Sequence, residues 1–265
     1  MDFSGNLPLW KAHWPADALM RKRAEIGPRA FDRGYRMRAF ADEDYLFPHF
    51  EKALELGRKE SIPEPLPPDW HTFMGVDLAG PKRPGNVIWC GSVDAHGIRR
   101  PLEIRRIQGS SPEVARQIGE VNRHWKARAI MVENNGYQNS IIEWIQKLHD
   151  EFSWWMNVVA FTTGMKKVDP QFGLPGLDIE FMNGAWIVPR ELNPRVNEHD
   201  LNCDCGACVW VQEMSNYPHS AATDTVMASY FFSEACRQFK MEIDDRDQFL
   251  VPAQDGVFEV PLEDL

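Results

Sequence analysis

The 265-residue sequence lacks any apolar run that approaches the ~18–20 residues of a membrane-spanning helix. Its first residues also lack the basic and then apolar pattern of a secretory signal. With 43% hydrophobic and 26% charged residues, the composition is that of a globular protein with a full core. We therefore expect a cytoplasmic protein without membrane contact.

Cysteine is scarce, and the five that occur do not form the even, spread pattern of a disulfide framework. Cys205 and Cys208 have the C-x-x-C spacing of a zinc site, and His199 with Cys203 completes a set of four ligands for a structural Zn²⁺. The single residue between Cys203 and Cys205 is a tight spacing, and no second pair of the usual kind flanks the cluster. Free thiols are therefore the alternative interpretation.

Basic residues are outnumbered, with 29 Lys and Arg against 39 Asp and Glu, so the formal net charge of −10 argues against a polyanionic partner. The charge is unevenly distributed, however. Residues 240–265 hold eight acids and two bases, whereas residues 81–128 hold ten Lys and Arg and four acids. A basic middle and an acidic end are compatible with nucleic-acid binding by one face. The alternative is a solvated hairpin lined by Arg99, Arg100, Arg105 and Arg106.

Short apolar runs separated by turn residues predict the order of the strands and helices. Residues 73–79, 87–93 and 102–107 are typical of an antiparallel meander. A helix from Ser111, a strand at 129–133, a second helix, a strand at 155–161 and a long late helix follow. This succession is the plan of the ribonuclease H-like fold, an α/β fold with a mixed five-stranded core sheet, three antiparallel and then parallel strands, flanked by helices.

Prolines divide the chain. Residues 61–68 contain four of them and predict a stiff, extended linker. We expect a helical N-terminal segment (1–60), the linker (61–72), the ribonuclease H-like domain (73–239) and an acidic, mobile tail (240–265). The first helix should begin near Pro15 and end at Gly27 and Pro28.

Asp77 stands in the first apolar strand, where a carboxylate is costly unless a cation offsets it. Glu133 ends the fourth strand, which the fold places beside the first, at the carboxyl edge where ligands bind. Two carboxylates at such a short distance from each other need a counter-charge, and Mg²⁺ or Mn²⁺ would supply it. The alternatives are a turn cap for Asp77 and a cap beside Asn134 and Asn135 for Glu133.

Asp224 is the only charged residue in the otherwise apolar start of the last helix, residues 222–232. An acid there can simply favour the helix dipole. Together with Asp77 and Glu133 it can instead bind two divalent ions ~3.5–4 Å apart, with a scissile phosphate between them. One ion would lower the pKa of the attacking water and the other would stabilise the leaving 3′ oxygen. The predicted reaction is phosphodiester hydrolysis.

Three motifs resemble the nuclease part of the large terminase subunit of tailed bacteriophages: MGVD at 74–77, VENNG at 132–136, and His219 with Asp224. Segments 14–31 and 42–48 resemble the region between the ATPase and nuclease domains of that family. The resemblance covers about residues 9–239. It implies that the three acids bind the metals and cut concatemeric double-stranded DNA during packaging in the host cytoplasm. It also implies the terminase ATPase part, the small terminase subunit and the portal as partners.

The same resemblance extends to residues 164–167 and 181–189. It implies an added β-hairpin, preceded by Lys166 or Lys167 near the DNA. Lys82 and Arg83, in the turn after the first strand, are further candidates for phosphate contacts that do not depend on base sequence. Exposed basic turns are the alternative.

The sequence departs from the family in two ways. Ser220 and Ala221 stand where acids often follow the motif histidine. In addition, no G-x-x-x-x-G-K-[S/T] occurs, so the chain lacks the phosphate cradle of an ATP motor and should not translocate DNA unaided.

Two other functions fit the same residues. One is another ribonuclease H-like nuclease of the resolvase or transposase type, which would prefer branched DNA or transfer strands. The other is a packaging adaptor without activity, which would have no need of carboxylates in apolar elements.

Overall fold

A computed structural model describes residues 12–35, 45–78, 85–133, 138–162, 173–197, 199 and 203–247. The predicted DNA-contacting residues Lys82, Arg83, Lys166 and Lys167 lie outside these ranges and stay predictions.

Five strands form one sheet in the order β3-β2-β1-β4-β5. Strands β1, β2 and β3 pair antiparallel, whereas β4 pairs parallel with β1 and β5 pairs parallel with β4. This arrangement confirms the predicted ribonuclease H-like fold. The strands are β1 (His71–Asp77), β2 (Asn86–Val93), β3 (Arg99–Ile107), β4 (Ala129–Glu133) and β5 (Val158–Phe161).

Seven α-helices occur in the described ranges, and none combines the length and apolar content that crossing a bilayer requires. They are α1 (Ala16–Tyr35), α2 (Phe50–Leu56), α3 (Ser111–Trp125), α4 (Gln138–Phe152), α5 (Leu174–Met182), α6 (Gly206–Asn216) and α7 (Asp224–Asp247).

The sheet separates two hydrophobic cores because successive side chains of a strand point to opposite faces. Met74 and Val76 of β1 pack with apolar residues of α3 and α4 on one face. Phe73 packs on the other face with α2, α5, α6 and α7. A cluster of aromatic side chains fills this second core, where the Trp89 ring lies 4.5 Å from the ring of Phe232 and 5.4 Å from that of Trp210.

Residues before the proposed catalytic domain pack into its core, and its last helix extends beyond the proposed boundary at residue 239. Phe47, Phe50 and Leu54, which precede the linker, are fully buried in the second core. Helix α7 continues to Asp247, beyond residue 239. The division at 1–60, 61–72, 73–239 and 240–265 therefore stays a proposal.

The predicted end of the first helix at Gly27 and Pro28 is wrong, because α1 continues to Tyr35. Proline inside a helix costs about 3 kcal/mol. The burial of Leu19 and Phe31, and the stacking of the Phe31 and Tyr35 rings at 4.9 Å, offset that cost.

The added β-hairpin is absent from the described residues 173–189, and α5 occupies the first half of that segment. Leu174, Leu177 and Phe181 recur at three- and four-residue spacing and are buried, which favours a helix. The second half adds one isolated parallel bridge between Arg99 and Trp186. A strand pair would expose the apolar stripe that this helix buries.

Candidate functional site

Asp77 and Glu133 end two neighbouring parallel strands. The pairing of β1 with β4 matches Phe73 with Ala129 and Val76 with Val132. Asp77 and Glu133 follow one residue beyond the last of these pairs, at the carboxyl edge of the sheet, and both are half-buried. They share a strand face with Phe73, which is the face that α7 covers.

Helix α7 crosses β1 at very close range and in the opposite direction. A Cβ added to Gly75 would lie 2.0 Å from the carbonyl oxygen of Ala228 and 2.3 Å from the nitrogen of Phe232. Earlier in β1, the Phe73 ring lies 6.3 Å from that of Phe239, near the other end of the helix. Since the start of β1 meets the later part of α7, the end of β1 points toward the start of α7.

This antiparallel crossing brings Asp224 to the edge where Asp77 lies. From Gly75 to Asp77 the strand advances about 6.6 Å. Because α7 runs antiparallel to β1, going back along the helix from Ala228 to Asp224 also covers about 6 Å toward the carboxyl end of the strand. The first residue of α7 therefore lies at the carboxyl edge of the sheet, on the face of Asp77 and Glu133. The structure thus brings the three predicted acids to one edge and one face.

Among the residues that the structure describes, the His, Cys, Asp and Glu group whose ligand atoms lie within 4.8 Å of one another does not include these acids. The donor set, all carboxylate oxygen, is the one that Mg²⁺ and Mn²⁺ prefer.

Glu213 of α6 is a fourth acid at this end of α7. Its side chain is buried, and its Oε2 accepts hydrogen bonds from the backbone N–H of Thr225 at 2.9 Å and from the Thr225 hydroxyl at 2.5 Å. Burial raises the pKa of Glu213, against the opposing effect of these hydrogen bonds, and the nearby charge of Asp224 raises it further. Glu213 therefore holds the first turn of the helix that begins with Asp224.

Glu213 was not among the predicted site residues, although the sequence contains a signal for it. The acid lies beside Gln212 among the apolar residues Trp210, Val211 and Met214, and an acid in largely apolar surroundings is also what singled out Asp77. No helix was predicted at Gly206–Asn216, where the structure has α6.

The basic hairpin is largely neutralised within the protein. Arg99, Arg100 and Arg105 each have an acidic partner within 3.2 Å, so little of their charge is available to a polyanion. Arg106 is exposed, and its guanidinium donates to the carbonyl oxygen of Asp204 at 3.1 Å. The acidic partners are Glu60, Asp94, Glu103, Glu120 and Glu180.

The four residues predicted as zinc ligands do meet in space. The Nδ1 atom of His199 lies 3.2 Å from the sulfur of Cys203 and 3.7 Å from that of Cys205. With Cys208 they form the group whose ligand atoms all lie within 4.8 Å of one another. The hydrogen bond with His199 lowers the pKa of Cys203 to about 7. Burial raises that of Cys208.

The order and directions of the five strands define a ribonuclease H-like fold. The chain is similar to solved structures of large terminase nucleases. The large terminase nuclease from thermophilic phage G20c is 12% identical, with 72% of this chain and 98% of that chain covered and a TM-score of 0.48. The nuclease domain of the large terminase subunit gp2 of bacterial virus Sf6, solved with manganese, is 10% identical over 68% and 85% of the two chains, with a TM-score of 0.45.

RuvC of Thermus thermophilus is a more distant structural neighbour, at 12% identity over 64% of this chain and 96% of that chain, with a TM-score of 0.34. No protein-family model and no curated protein matches the sequence.

Proposed function

We propose that the chain is a divalent-metal-dependent endonuclease that cuts double-stranded DNA. The observation that carries this proposal is the convergence of Asp77, Glu133 and Asp224 from three distant segments at the carboxyl edge of a ribonuclease H-like sheet. Carboxylates at the edge where open α/β sheets bind ligands are the groups that would hold divalent cations.

The chain's own residues supply a rigid frame for the cations. Asp77 and Glu133 are positioned by adjacent parallel strands, and Asp224 by a helix whose backbone packs directly against Gly75. Mg²⁺ or Mn²⁺ held by these carboxylates would stabilise charge on a phosphate and activate water. Glu213 positions the start of α7 through Thr225.

The biological substrate that we propose is the concatemeric genome of a tailed bacteriophage, cut during packaging in the host cytoplasm. This part of the proposal is supported by the motifs at 74–77, 132–136 and 219–224, which resemble those of the large terminase nuclease. The proposed partners are the terminase ATPase part, the small terminase subunit and the portal. This sequence contains no phosphate-binding loop of its own.

Plasmid cutting tests the proposal directly. Supercoiled plasmid should be nicked and linearised with Mg²⁺ or Mn²⁺ and left intact with EDTA. Asp224→Asn should abolish cutting, because it removes a ligand charge while keeping the side-chain volume. Glu143→Gln, an acid exposed on α4, is the matched control and should cut as the parent does.

Two results would contradict the proposal. Cutting by Asp224→Asn at the parent rate would exclude the acidic edge as the active site. Inactivity of a folded parent with every divalent metal, on plasmid and on branched DNA, would favour a packaging adaptor. Strong preference for branched junctions would instead indicate a nuclease of the resolvase type.

A further inference from the structure

We infer that His199, Cys203, Cys205 and Cys208 form a structural zinc site that is separate from the acidic edge, and this inference does not rest on the proposed nuclease activity. Its ligands are Nδ1 of His199 and the sulfurs of Cys203, Cys205 and Cys208. One nitrogen and three sulfurs make a closed tetrahedral set with no open position, which is the arrangement of structural rather than catalytic zinc.

The separations between ligand atoms fit one zinc ion. With Zn–S of about 2.3 Å and Zn–N of about 2.0–2.1 Å, a tetrahedron places sulfur about 3.5 Å from nitrogen and sulfurs about 3.8 Å from one another. The His199 nitrogen lies 3.2 and 3.7 Å from two of the sulfurs, and no pair in the set exceeds 4.8 Å. The four side chains therefore need only small shifts to bind one ion.

The start of α6 forms the C-x-x-C part of the site without strain. Cys205 is the N-cap residue of α6, and its sulfur accepts from the backbone N–H of Cys208 at 3.5 Å. An N-cap side chain and the third residue of the helix lie together by the geometry of the first turn. The tight spacing between Cys203 and Cys205 is then accommodated, because Cys203 approaches from the loop before the cap.

The surroundings suit the charge of the occupied site. Three thiolates and one Zn²⁺ carry a net charge of about −1 when histidine is neutral. The N-terminus of α6 favours negative charge, and the Arg106 guanidinium donates to the carbonyl oxygen of Asp204, between two of the ligands.

The site is also held firmly against the sheet. A Cβ added to Gly206 would lie 2.1 Å from the carbonyl oxygen of Ile104, so the start of α6 touches the backbone of β3.

The ligand set favours zinc over Mg²⁺ or Ca²⁺, which take oxygen ligands. All five cysteines are free thiols in the structure.

The site has a structural consequence at the other end of α6. The same helix carries Glu213, which holds the first turn of α7. Zinc at the start of α6 would fix the helix to β3 and so stabilise the position of Glu213. In this proposal the zinc ion acts through the packing of α6 and has no direct contact with the acidic edge.

Metal analysis of the purified full chain tests the inference. After expression with zinc and extensive dialysis under reducing conditions, elemental analysis should give about one zinc per chain. Substitution with Co²⁺ should produce intense sulfur-to-cobalt charge-transfer absorption together with the visible bands of a tetrahedral ion. Cys208→Ser should reduce zinc retention by at least about 10-fold, since a ligand is lost.

The remaining cysteines provide the matched control. Cys90 and Cys236 are buried in the two cores, away from the cluster. The Cys90→Ala/Cys236→Ala variant should keep its zinc, and its three remaining thiols should become reactive only after the metal is chelated.

This thiol titration also keeps the inference testable if Cys208→Ser does not fold, because it uses a chain with an intact site. Zinc far below one per chain, with no charge-transfer band from Co²⁺, would overturn the inference whether or not the protein cuts DNA. Equal reactivity of the three thiols with and without chelator would do the same.

Discussion

The acidic edge and the thiol cluster of this chain are built in opposite ways. The acids at 77, 133 and 224 come from two strands and a helix that are far apart in sequence, and only the sheet and the crossing at Gly75 bring them together. The thiol cluster lies within residues 199–208, at the start of a single helix. Oxygen ligands at the first region favour Mg²⁺ or Mn²⁺, and sulfur ligands at the second favour Zn²⁺.

This difference predicts how each region responds to mutations that alter packing. The acidic edge depends on the relative position of whole elements, so a change in packing far from the acids should impair it. The thiol cluster depends on one loop and one helix turn, so the same change should leave it intact.

Among the variants that compare the two regions, Asp77→Asn should have the largest effect, which is on DNA cutting. Loss of one ligand charge should reduce the cutting rate about 1000-fold, equivalent to about 4 kcal/mol of transition-state stabilisation. Zinc content should not change, because Asp77 has no part in the thiol cluster. Quantitative plasmid cutting and elemental analysis on the same preparation measure the cutting rate and the zinc content. A simultaneous loss of zinc would show that the two regions are coupled.

Gly75→Ala tests whether the helix crossing assembles the acidic edge. The new Cβ would strike the backbone at Ala228 and Phe232, which cannot yield as a flexible side chain would. We expect a loss of about 3 kcal/mol in the free energy of unfolding, measured by urea denaturation, together with reduced cutting. Gly34→Ala is the control, since nothing lies within 4 Å of its added Cβ. Parent-like stability of Gly75→Ala would contradict the close crossing.

Asp94→Asn should destabilise the fold without affecting either region specifically. Oδ2 of Asp94 accepts from Arg100 at 2.7 Å, and Oδ1 accepts from the backbone N–H groups of His96 and Ile98, both at 2.9 Å. Burial opposes ionisation, but these hydrogen bonds lower the pKa of Asp94 below its usual value. We expect a loss of about 2 kcal/mol at pH 7.

The sign of the pH dependence follows from the lowered pKa. The stabilisation by ionised Asp94 is fully present above the unfolded-state pKa of about 3.9, and it is lost as the pH falls through the folded-state value. The difference in Tm between parent and variant should therefore be largest above about pH 5 and disappear in stronger acid. Asp150→Asn, an exposed acid on α4, is the control. A difference that persists at the lowest pH would point to packing instead of charge.

The smallest effect that we predict is that of Glu213→Gln. Glutamine keeps an acceptor for the Thr225 N–H, so cutting should fall only about 10-fold, or about 1.4 kcal/mol. Glu213→Ala removes the acceptor and should lower cutting further. The concentration of Mg²⁺ at half-maximal cutting should rise in the same order, while zinc content stays constant. Parent-like cutting by both variants would exclude Glu213 as a positioning residue.

Much of the fold could be predicted from local pattern. The apolar runs and turn residues gave the five strands in order, and the bounds of β4 at 129–133 agree with the structure. The failures occurred where packing outweighs local preference. Helix α1 passes through Gly27 and Pro28, and α5 forms at Leu174–Met182, where no helix was predicted. Burial of side chains such as Phe31 and Phe181 decides both, and burial depends on the rest of the fold.

The sequence by itself supplied the candidate residues of both regions: the three acids in apolar surroundings and the spacing of His199, Cys203, Cys205 and Cys208. It also determined the succession of strands along the chain, because alternation and turns are local properties. Only the tertiary structure decided which face of the sheet the acids share, how α7 approaches β1, and that Glu213 braces the first turn of α7. Those features depend on contacts between residues distant in the chain, and no local pattern encodes them.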